Sequence, residues 1–158
     1  MPDESPPTQK QAATLMAQTY ALVQVCPAGR VTTYGWISKA LGYPRGARMV
    51  GWIMNEAPHG VPAQRVINSK GELTGSWAFG QRGKMRQLLE AEGIVFSANE
   101  TVDLKHYGWD QTRDLDEAAL KNILDHAATM SVDVSERLLD LLHYDKTSPF
   151  RGTAGEEK

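Results

Sequence analysis

Two short helical patterns separated by a glycine-tyrosine-proline turn constrain the fold of this chain more than any other feature. The first, residues 32–41, begins with threonines that can cap a helix, repeats apolar residues at steps of three and four, and stops at Gly42. The second, residues 45–55, follows directly. Two helices joined in this way predict a helix-turn-helix, whose second helix enters a groove of a partner.

The predicted second helix has two chemically different faces. Ala47, Val50 and Met54 fall on an apolar side that we expect to be buried. Gly51 lies between the faces, where the missing side chain lets another backbone approach. The opposite side is cationic and rich in hydrogen-bonding groups, which also suits an ordinary amphipathic surface helix. If the helix binds DNA, the contact residues are Arg45, Arg48, Gly51, Trp52 and Asn55.

Residues 65–73 predict a strand, a tight turn and a second strand. A hairpin behind a helix pair is typical of a wing. The sequence therefore predicts a mainly α fold, in which residues 10–110 form a winged helix-turn-helix-like DNA-binding domain with a small β-hairpin wing. A helix over residues 12–26 and another over 85–92, closed by Gly93, complete this domain.

The flanking segments have a different character. Residues 1–9 are rich in proline and polar residues, which predicts a disordered tail. Residues 111–147 predict a helical extension with helices near 115–128 and 134–143, either packed on the domain or free to bind a partner. Residues 148–158 have the composition of a tail.

The formal net charge of −2 hides a segregation of charge along the chain. From residue 30 to residue 86 there are nine Lys and Arg against two Glu, a local balance of +7. Residues 111–158 carry ten Asp and Glu against six Lys and Arg, a balance of −4. A basic centre with an acidic appendage favours a polyanion-binding domain. A mixed-charge surface without a partner is the alternative.

Composition also bounds the other classes of function. No apolar run approaches the roughly 20 residues of a membrane span, and no signal-peptide pattern opens the chain, so we expect a cytoplasmic protein, associated with the nucleoid if bacterial, and no membrane partner. The lone Cys26 excludes an internal disulfide, and four scattered histidines show no metal-ligand spacing. We therefore expect neither a metal nor a cofactor. Cys26 lies on an apolar stripe and is interpreted as a packing residue.

At Tyr34 and at residues 42–54, 62–66 and 88–93 the sequence resembles the DNA-binding domain of the O6-alkylguanine-DNA alkyltransferases. The motif of that family is Pro-Cys-His-Arg-Val, whose cysteine takes the alkyl group from a guanine flipped out of the duplex. Here the stretch is Pro62-Ala63-Gln64-Arg65-Val66. Ala63 therefore stands at the nucleophile's position and Gln64 at that of the activating histidine. Transfer needs a thiolate and a nearby base, and neither side chain supplies one.

This departure is similar to that of the alkyltransferase-like proteins, which bind O6-alkylguanine without repairing it and pass the lesion to nucleotide excision repair. The resemblance implies that the protein is not an enzyme, with Ala63 and Gln64 as vestigial catalytic positions. It implies that Arg48 is an arginine finger filling the place of the flipped nucleotide and that Tyr34 crowds the 3′ phosphate. It further implies a lesion pocket formed by Tyr34, Val61, Ala63, Gln64, Arg65, Val66, Ser76, Trp77 and Glu92.

Some alternatives remain open at the sequence level. Glu92 matches the relay glutamate of the active enzymes, and without the histidine it is expected to be structural, pairing with Arg65. The family's hinge asparagine corresponds either to Asn55 or, by another count, to Ala57. A winged-helix transcription regulator reading a specific sequence is the second hypothesis, and an enzyme using Cys26 as alkyl acceptor is the third. We expect a monomer, with double-stranded DNA containing O6-alkylguanine and nucleotide excision repair proteins as partners.

Overall fold

The computed structural model describes residues 8–74 and 83–144, and these are mainly helical. In chain order, the elements are α1 (Gln9–Gln24), β1 (Thr32–Thr33), α2 (Tyr34–Ala40), α3 (Ala47–Asn55), a 3-10 turn (Ala63–Arg65), β2 (Val66–Ile67), α4 (Lys84–Ala91), α5 (Leu104–Tyr107), α6 (Gln111–Asp114), α7 (Glu117–Ala127) and α8 (Glu136–Tyr144).

The predicted pair of helices is α2 and α3, which pack directly on each other. Thr33 caps α2, since its hydroxyl oxygen accepts a hydrogen bond from the backbone N–H of Trp36 at 3.0 Å. After α2 the chain turns at Gly42, whose φ of +96° lies in the left-handed region that favours glycine. The helix pair predicted from the sequence is therefore present, with α3 beginning at Ala47 rather than at residue 45.

The buried face of α3 differs from the one predicted. It consists of Met49, Val50, Ile53 and Met54, whereas Ala47 is exposed. Met49 and Ile53 are four residues apart and larger than Ala47, so burying them removes more apolar surface from water. The helix is rotated accordingly, and Ala47 lies on the same side as Arg48 and Gly51.

The predicted β-hairpin is wrong, because the small sheet is parallel. β2 pairs with β1 in the register Thr32 to Val66 and Thr33 to Ile67. The turn after β2 does form, closed by the Asn68 side-chain oxygen, which accepts the backbone N–H groups of Lys70 and Glu72 at 2.9 and 2.8 Å. The chain then leaves β2, and the backbone oxygen of Gly71 accepts from the N–H of Val102 at 2.9 Å.

The backbone N–H of Asn68 donates to the Glu72 oxygen at 3.2 Å across the turn, but residues 68–74 form no second strand. The winged-helix-like character of the fold is retained, with a two-stranded parallel sheet at the position expected for the hairpin.

The helices of the predicted extension complete the hydrophobic core. Leu138 and Leu142 of α8 are fully buried in the same apolar cluster as the buried face of α3. Side-chain hydrogen bonds join the same parts of the chain: Gln9 Nε2 donates to the Val134 oxygen at 3.2 Å, and Ser135 Oγ donates to Glu56 Oε2 at 2.8 Å. The extension is thus packed on the domain rather than held away from it.

The tail prediction is wrong for its last two residues. Thr8 and Gln11 form a reciprocal capping box, and α1 begins at Gln9, because the Thr8 hydroxyl satisfies a backbone donor that would otherwise lack a partner. Residues 1–7 and 148–158 lie outside the described residues. None of the helices in the described ranges is long and apolar enough to cross a bilayer.

Candidate functional site

Two neighbouring depressions meet at the end of α3. The first is an open groove of about 720 Å³, and Asn55 lies at the boundary between it and the second. Arg48, Gly51 and Trp52 line the groove from one face of α3, and Tyr34 lines it from the start of α2. The sequence-predicted contact residues are therefore together on one surface. Arg45 is the exception: it is exposed in the turn before α3 and does not line the groove.

The second depression is a cavity of about 480 Å³, within the range of roughly 300–1,000 Å³ typical of ligand pockets. Three of the predicted pocket residues, Val61, Ala63 and Gln64, line it. The remaining walls come from the loop after α3 and from one side of α4. The lining residues are Met54, Asn55, Ala57, Pro58, His59, Gly60, Val61, Ala63, Gln64, Lys84 and Leu88.

Tyr34 is positioned by the cap of its helix and by a hydrogen bond with Thr74. Burial raises the pKa of the Tyr34 phenol, and the hydrogen bond to Thr74 offsets only part of that increase. The Tyr34 side chain is therefore uncharged at physiological pH.

Behind the cavity, Gln64, Arg65 and Glu92 form one hydrogen-bonded network. Gln64 Nε2 donates to Glu92 Oε2 at 2.8 Å, and Arg65 Nε donates to Glu92 Oε1 at 3.0 Å. The backbone N–H of Gly29 also donates to Glu92 Oε1, at 3.0 Å. Burial raises the pKa of Glu92, but these donors outweigh it and the pKa lies below its ordinary value. Glu92 is thus an ionised, fully engaged carboxylate, paired with Arg65 as the sequence predicted.

The cavity wall carries no thiol among the residues that the structure describes. Ala63 presents a methyl group, and Cys26 is 1% exposed and does not line the cavity. Burial raises the pKa of the Cys26 thiol to about 12, although Arg65 acts in the opposite direction. A buried thiol with this pKa does not form the thiolate that alkyl transfer requires, which agrees with its interpretation as a packing residue.

Several predicted pocket residues occupy other positions. Val66 is 1% exposed and packs in the core as part of β2, so its assignment to the pocket wall is wrong. Arg65 and Glu92 support the wall through Gln64 without lining the cavity. Tyr34 lines the groove rather than the cavity. Ser76 and Trp77 lie outside the described residues.

The sequence analysis missed part of the cavity wall. His59, Lys84 and Leu88 contribute to it, although none was assigned to the site. The loop that holds His59 connects α3 to the Pro62-Ala63-Gln64 stretch, and this adjacency could have indicated its role. Both candidates for the hinge, Asn55 and Ala57, line the cavity, and Asn55 also lines the groove.

Nothing in the described ranges is arranged to hold a metal ion. No group of three histidine, cysteine, aspartate or glutamate side chains within 8–74 and 83–144 has the required proximity. The chemistry of the site described above is instead that of a cationic groove beside a small, partly apolar cavity.

Comparison with known proteins agrees with this geometry. Residues 14–94 match the family model described as 6-O-methylguanine DNA methyltransferase, DNA binding domain. The chain is 38% identical over 94 residues to the DNA base-flipping protein of Escherichia coli, covering 58% of this chain and 71% of that protein. It is 35% identical over 99 residues to Alkyltransferase-like protein 1 of Schizosaccharomyces pombe, covering 58% of this chain and 91% of the relative.

The chain is also similar to solved structures of this family. The crystal structure of S. pombe Atl1 in complex with damaged DNA containing O6-carboxymethylguanine superposes with a TM-score of 0.54 at 31% identity. The match covers 60% of this chain and 94% of that one. The regions without a counterpart in this comparison amount to two fifths of the chain.

Proposed function

Because the chain belongs to the family of the 6-O-methylguanine DNA methyltransferase DNA-binding domain, we propose that it binds double-stranded DNA containing O6-alkylguanine, rotates the damaged base into the cavity and leaves the alkyl group in place. The observation that carries this proposal is the position of Ala63. A methyl group forms the wall of a cavity that adjoins a groove suited to DNA, where the transferases of this family need a cysteine.

Rotating a base out of the duplex costs a few kcal/mol for unpairing and unstacking. Arg48 lies in the groove on α3, where its guanidinium can enter the duplex and hydrogen-bond to the base left without a partner. Tyr34 also lines the groove, and we propose that its neutral phenol contacts the backbone of the rotating nucleotide. These two contacts offset the cost of extrusion, and Asn55 lies where the base passes from the groove to the cavity.

In this proposal the bound lesion is not dealkylated, because positions 63 and 64 supply neither a nucleophile nor a base. Ala63 has no nucleophile, and Gln64 is a neutral amide whose nitrogen already donates to Glu92. The cavity can therefore hold an alkylated guanine without attacking it. Persistent binding would mark the lesion, and we propose that nucleotide excision repair proteins recognise this complex.

We also propose that the protein acts as a monomer. The extension was the part of the sequence best suited to dimerisation. Its leucines Leu138 and Leu142 are instead buried within the protein's own core. This arrangement removes the apolar face that a helical dimer interface would use.

The test compares duplexes that differ only in one guanine, unmodified or carrying a labelled O6-methyl group. We expect tighter binding to the methylated duplex, no label on the protein, and increased fluorescence from a 2-aminopurine placed opposite or beside the lesion when the base rotates outward. Equal affinity for both duplexes together with a preference for one sequence would overturn the proposal and support a transcription regulator. Covalent label on the protein would instead identify a transferase.

A further inference from the structure

We propose that the cavity selects O6-alkyl groups that carry a negative charge, with Lys84 providing the ammonium that binds them. This inference rests on the proposed function and deepens it by naming the class of adduct. It begins from the charges of the cavity wall. The described residues that line it include a lysine and a histidine, Lys84 and His59, and no aspartate or glutamate.

No ion pair among the described residues 8–74 and 83–144 neutralises the charge of Lys84. Cations near the site are paired: Arg65 with Glu92, and Arg86 with Glu90 at 3.2 Å. Lys84, in contrast, makes no ion pair with any residue in 8–74 or 83–144. An anion entering the cavity therefore finds an ammonium that does not have to leave a carboxylate first.

The nearest carboxylates do not cancel this charge. Glu92 contacts Gln64 behind the wall, but its oxygens already accept hydrogen bonds from Arg65, Gly29 and Gln64. Glu56, which follows α3, accepts a hydrogen bond from Ser135 of the extension and does not line the cavity. Among the described residues that line the cavity, Lys84 therefore contributes a positive charge and no carboxylate opposes it.

In the proposed complex, the adduct on the extruded base would lie near Lys84. In a transferase the nucleophile attacks the alkyl carbon, so the O6 substituent must face the residue at position 63. In this protein the 3-10 turn that holds Ala63 packs against α4, which begins at Lys84. Leu88, one turn further along α4, lines the same cavity. In an adduct with a short apolar stem and a terminal carboxylate, the stem would contact Leu88 and the carboxylate would bind Lys84.

Lysine suits this role because of its shape. Its ammonium is a compact charge on a flexible four-carbon stem, so it can follow carboxylates at the ends of stems of different lengths. The contribution should be moderate, since Lys84 is exposed and water and salt weaken the attraction. We expect a preference of roughly three- to tenfold for a charged adduct over a neutral adduct of the same size.

The experiment measures the affinity of the full chain for four duplexes identical except at one guanine. The guanine is unmodified, O6-methylated, O6-carboxymethylated, or modified with the neutral carbamoylmethyl amide of the same shape. The expected result is tighter binding of the carboxymethyl duplex than of the amide duplex, with a difference that shrinks as salt is raised. Lys84→Met should abolish this difference, so that the carboxymethyl and amide duplexes bind with equal affinity.

Two further variants serve as controls. Lys84→Arg should keep the preference, because it keeps the charge. Lys105→Met removes an exposed lysine of α5 that does not line the cavity, and it should also leave the preference unchanged.

Three results would overturn the inference, and they are distinguishable. Equal affinity of the unaltered protein for the carboxymethyl and amide duplexes would show that the protein does not distinguish a charged adduct from a neutral one. An equal loss of affinity for all four duplexes in Lys84→Met would identify Lys84 as a phosphate contact. If the unmodified and O6-methyl duplexes bind alike, the proposed lesion recognition itself fails.

Discussion

At the scale of single residues, Gln64 forms with Glu92 a hydrogen bond that an imidazole could also form, but Gln64 lacks the basic nitrogen of an imidazole. A carboxylate can only accept hydrogen bonds, so the amide nitrogen of Gln64 must face Glu92, as observed at 2.8 Å. An imidazole in the same place could also donate to Glu92 and, through its other nitrogen, take a proton from a thiol. An amide has no comparable basic nitrogen. Glu92 therefore holds Gln64 in the wall of the cavity, and the amide of Gln64 cannot itself activate a nucleophile.

The first prediction concerns the two vestigial positions. Ala63→Cys alone should transfer little alkyl group, because Gln64 cannot accept the thiol proton. Ala63→Cys combined with Gln64→His should transfer more, since Glu92 remains available to orient the imidazole. The measurement is the amount of labelled methyl moved from DNA to protein in a single turnover. Efficient transfer by the single variant would contradict this account of the cavity.

The second prediction concerns Glu92 and pH. Glu92→Gln places an amide against three donors and should lower the free energy of unfolding by about 1–3 kcal/mol at neutral pH. Because the folded-state pKa of Glu92 lies below that of the unfolded chain, its stabilising contribution is complete above the unfolded-state pKa and is lost as pH falls through the folded-state value. The difference between the two proteins in denaturant titrations should therefore shrink at acid pH.

Glu90→Gln is the matched control for that measurement. Glu90 lies on the same helix, and its side chain is 48% exposed in its pair with Arg86. Its replacement should change the free energy of unfolding by no more than about 0.5 kcal/mol. A Glu92→Gln difference that stays constant between neutral and acid pH would show that the carboxylate charge does not contribute.

The third prediction separates two kinds of arginine. Arg48→Ala should weaken binding to O6-methylguanine DNA by about 1–3 kcal/mol and reduce the preference over undamaged DNA, because Arg48 is proposed to replace the extruded base. Arg45 is exposed before α3 and outside the groove, so Arg45→Ala should affect both duplexes equally, as a phosphate contact does. An unchanged lesion preference in Arg48→Ala would reject its role as a finger.

At the scale of elements, α8 supports the helix that carries the groove. Leu138 and Leu142 lie four residues apart and have no exposed surface, and they belong to the cluster that includes Ile53 and Met54 of α3. The hydrogen bond from Ser135 to Glu56 ties the start of α8 to the end of α3, next to the loop that forms the cavity. The extension therefore stabilises the position of α3, the helix that lines the groove.

The fourth prediction follows from this packing. Leu138→Ala should lower the free energy of unfolding by about 2–5 kcal/mol, the range for a fully buried leucine that leaves a cavity. Leu139→Ala, at the neighbouring half-buried position, should cost less. Thermal and denaturant unfolding check both variants. Equal and small effects would indicate that α8 folds independently of the core.

The helices and strands also show how much of the secondary structure could be predicted from the sequence. Helices with local stop and start residues were predicted well: Thr33 caps α2, Gly42 ends it, and Gly93 has the positive φ expected after α4. The pairing of the strands was predicted wrongly, because a turn motif determines where the chain reverses but not which strand pairs with which. Asn68 closes the turn after β2, but the partner of β2 is β1, more than thirty residues earlier. Long-range pairing of this kind depends on packing that local patterns do not encode.

The cavity likewise contains residues that a local motif predicted and residues that only the tertiary packing brings to it. Ala63 and Gln64 were placed by their motif, because consecutive residues in a short turn stay together. Lys84 lies some twenty residues further along the chain, and only the packing of α4 against the 3-10 turn brings it to the cavity. No periodicity or spacing in the sequence indicates this proximity. The rotation of α3 that exposed Ala47 likewise depended on which side chains the core could bury.

At the scale of the whole molecule, the proposed binding combines an electrostatic part with a steric one. In this proposal the central segment, with its balance of +7 over residues 30–86, attracts any DNA, whereas the cavity accepts only an extruded base. The two parts differ in their response to salt. Contacts with phosphates release counterions, while the insertion of a neutral O6-methylguanine into the cavity does not.

The fifth prediction uses this difference. The logarithm of the binding constant should fall linearly with the logarithm of salt concentration, by about 0.9 for each phosphate neutralised. We expect the lines for undamaged and O6-methylguanine duplexes to be parallel, so that the lesion preference stays constant while both affinities fall. A steeper line for damaged DNA would mean that recognition adds phosphate contacts, for instance through bending of the duplex. Parallel lines would assign the preference to the cavity, because the lesion-dependent part of the free energy would then involve no net release of ions.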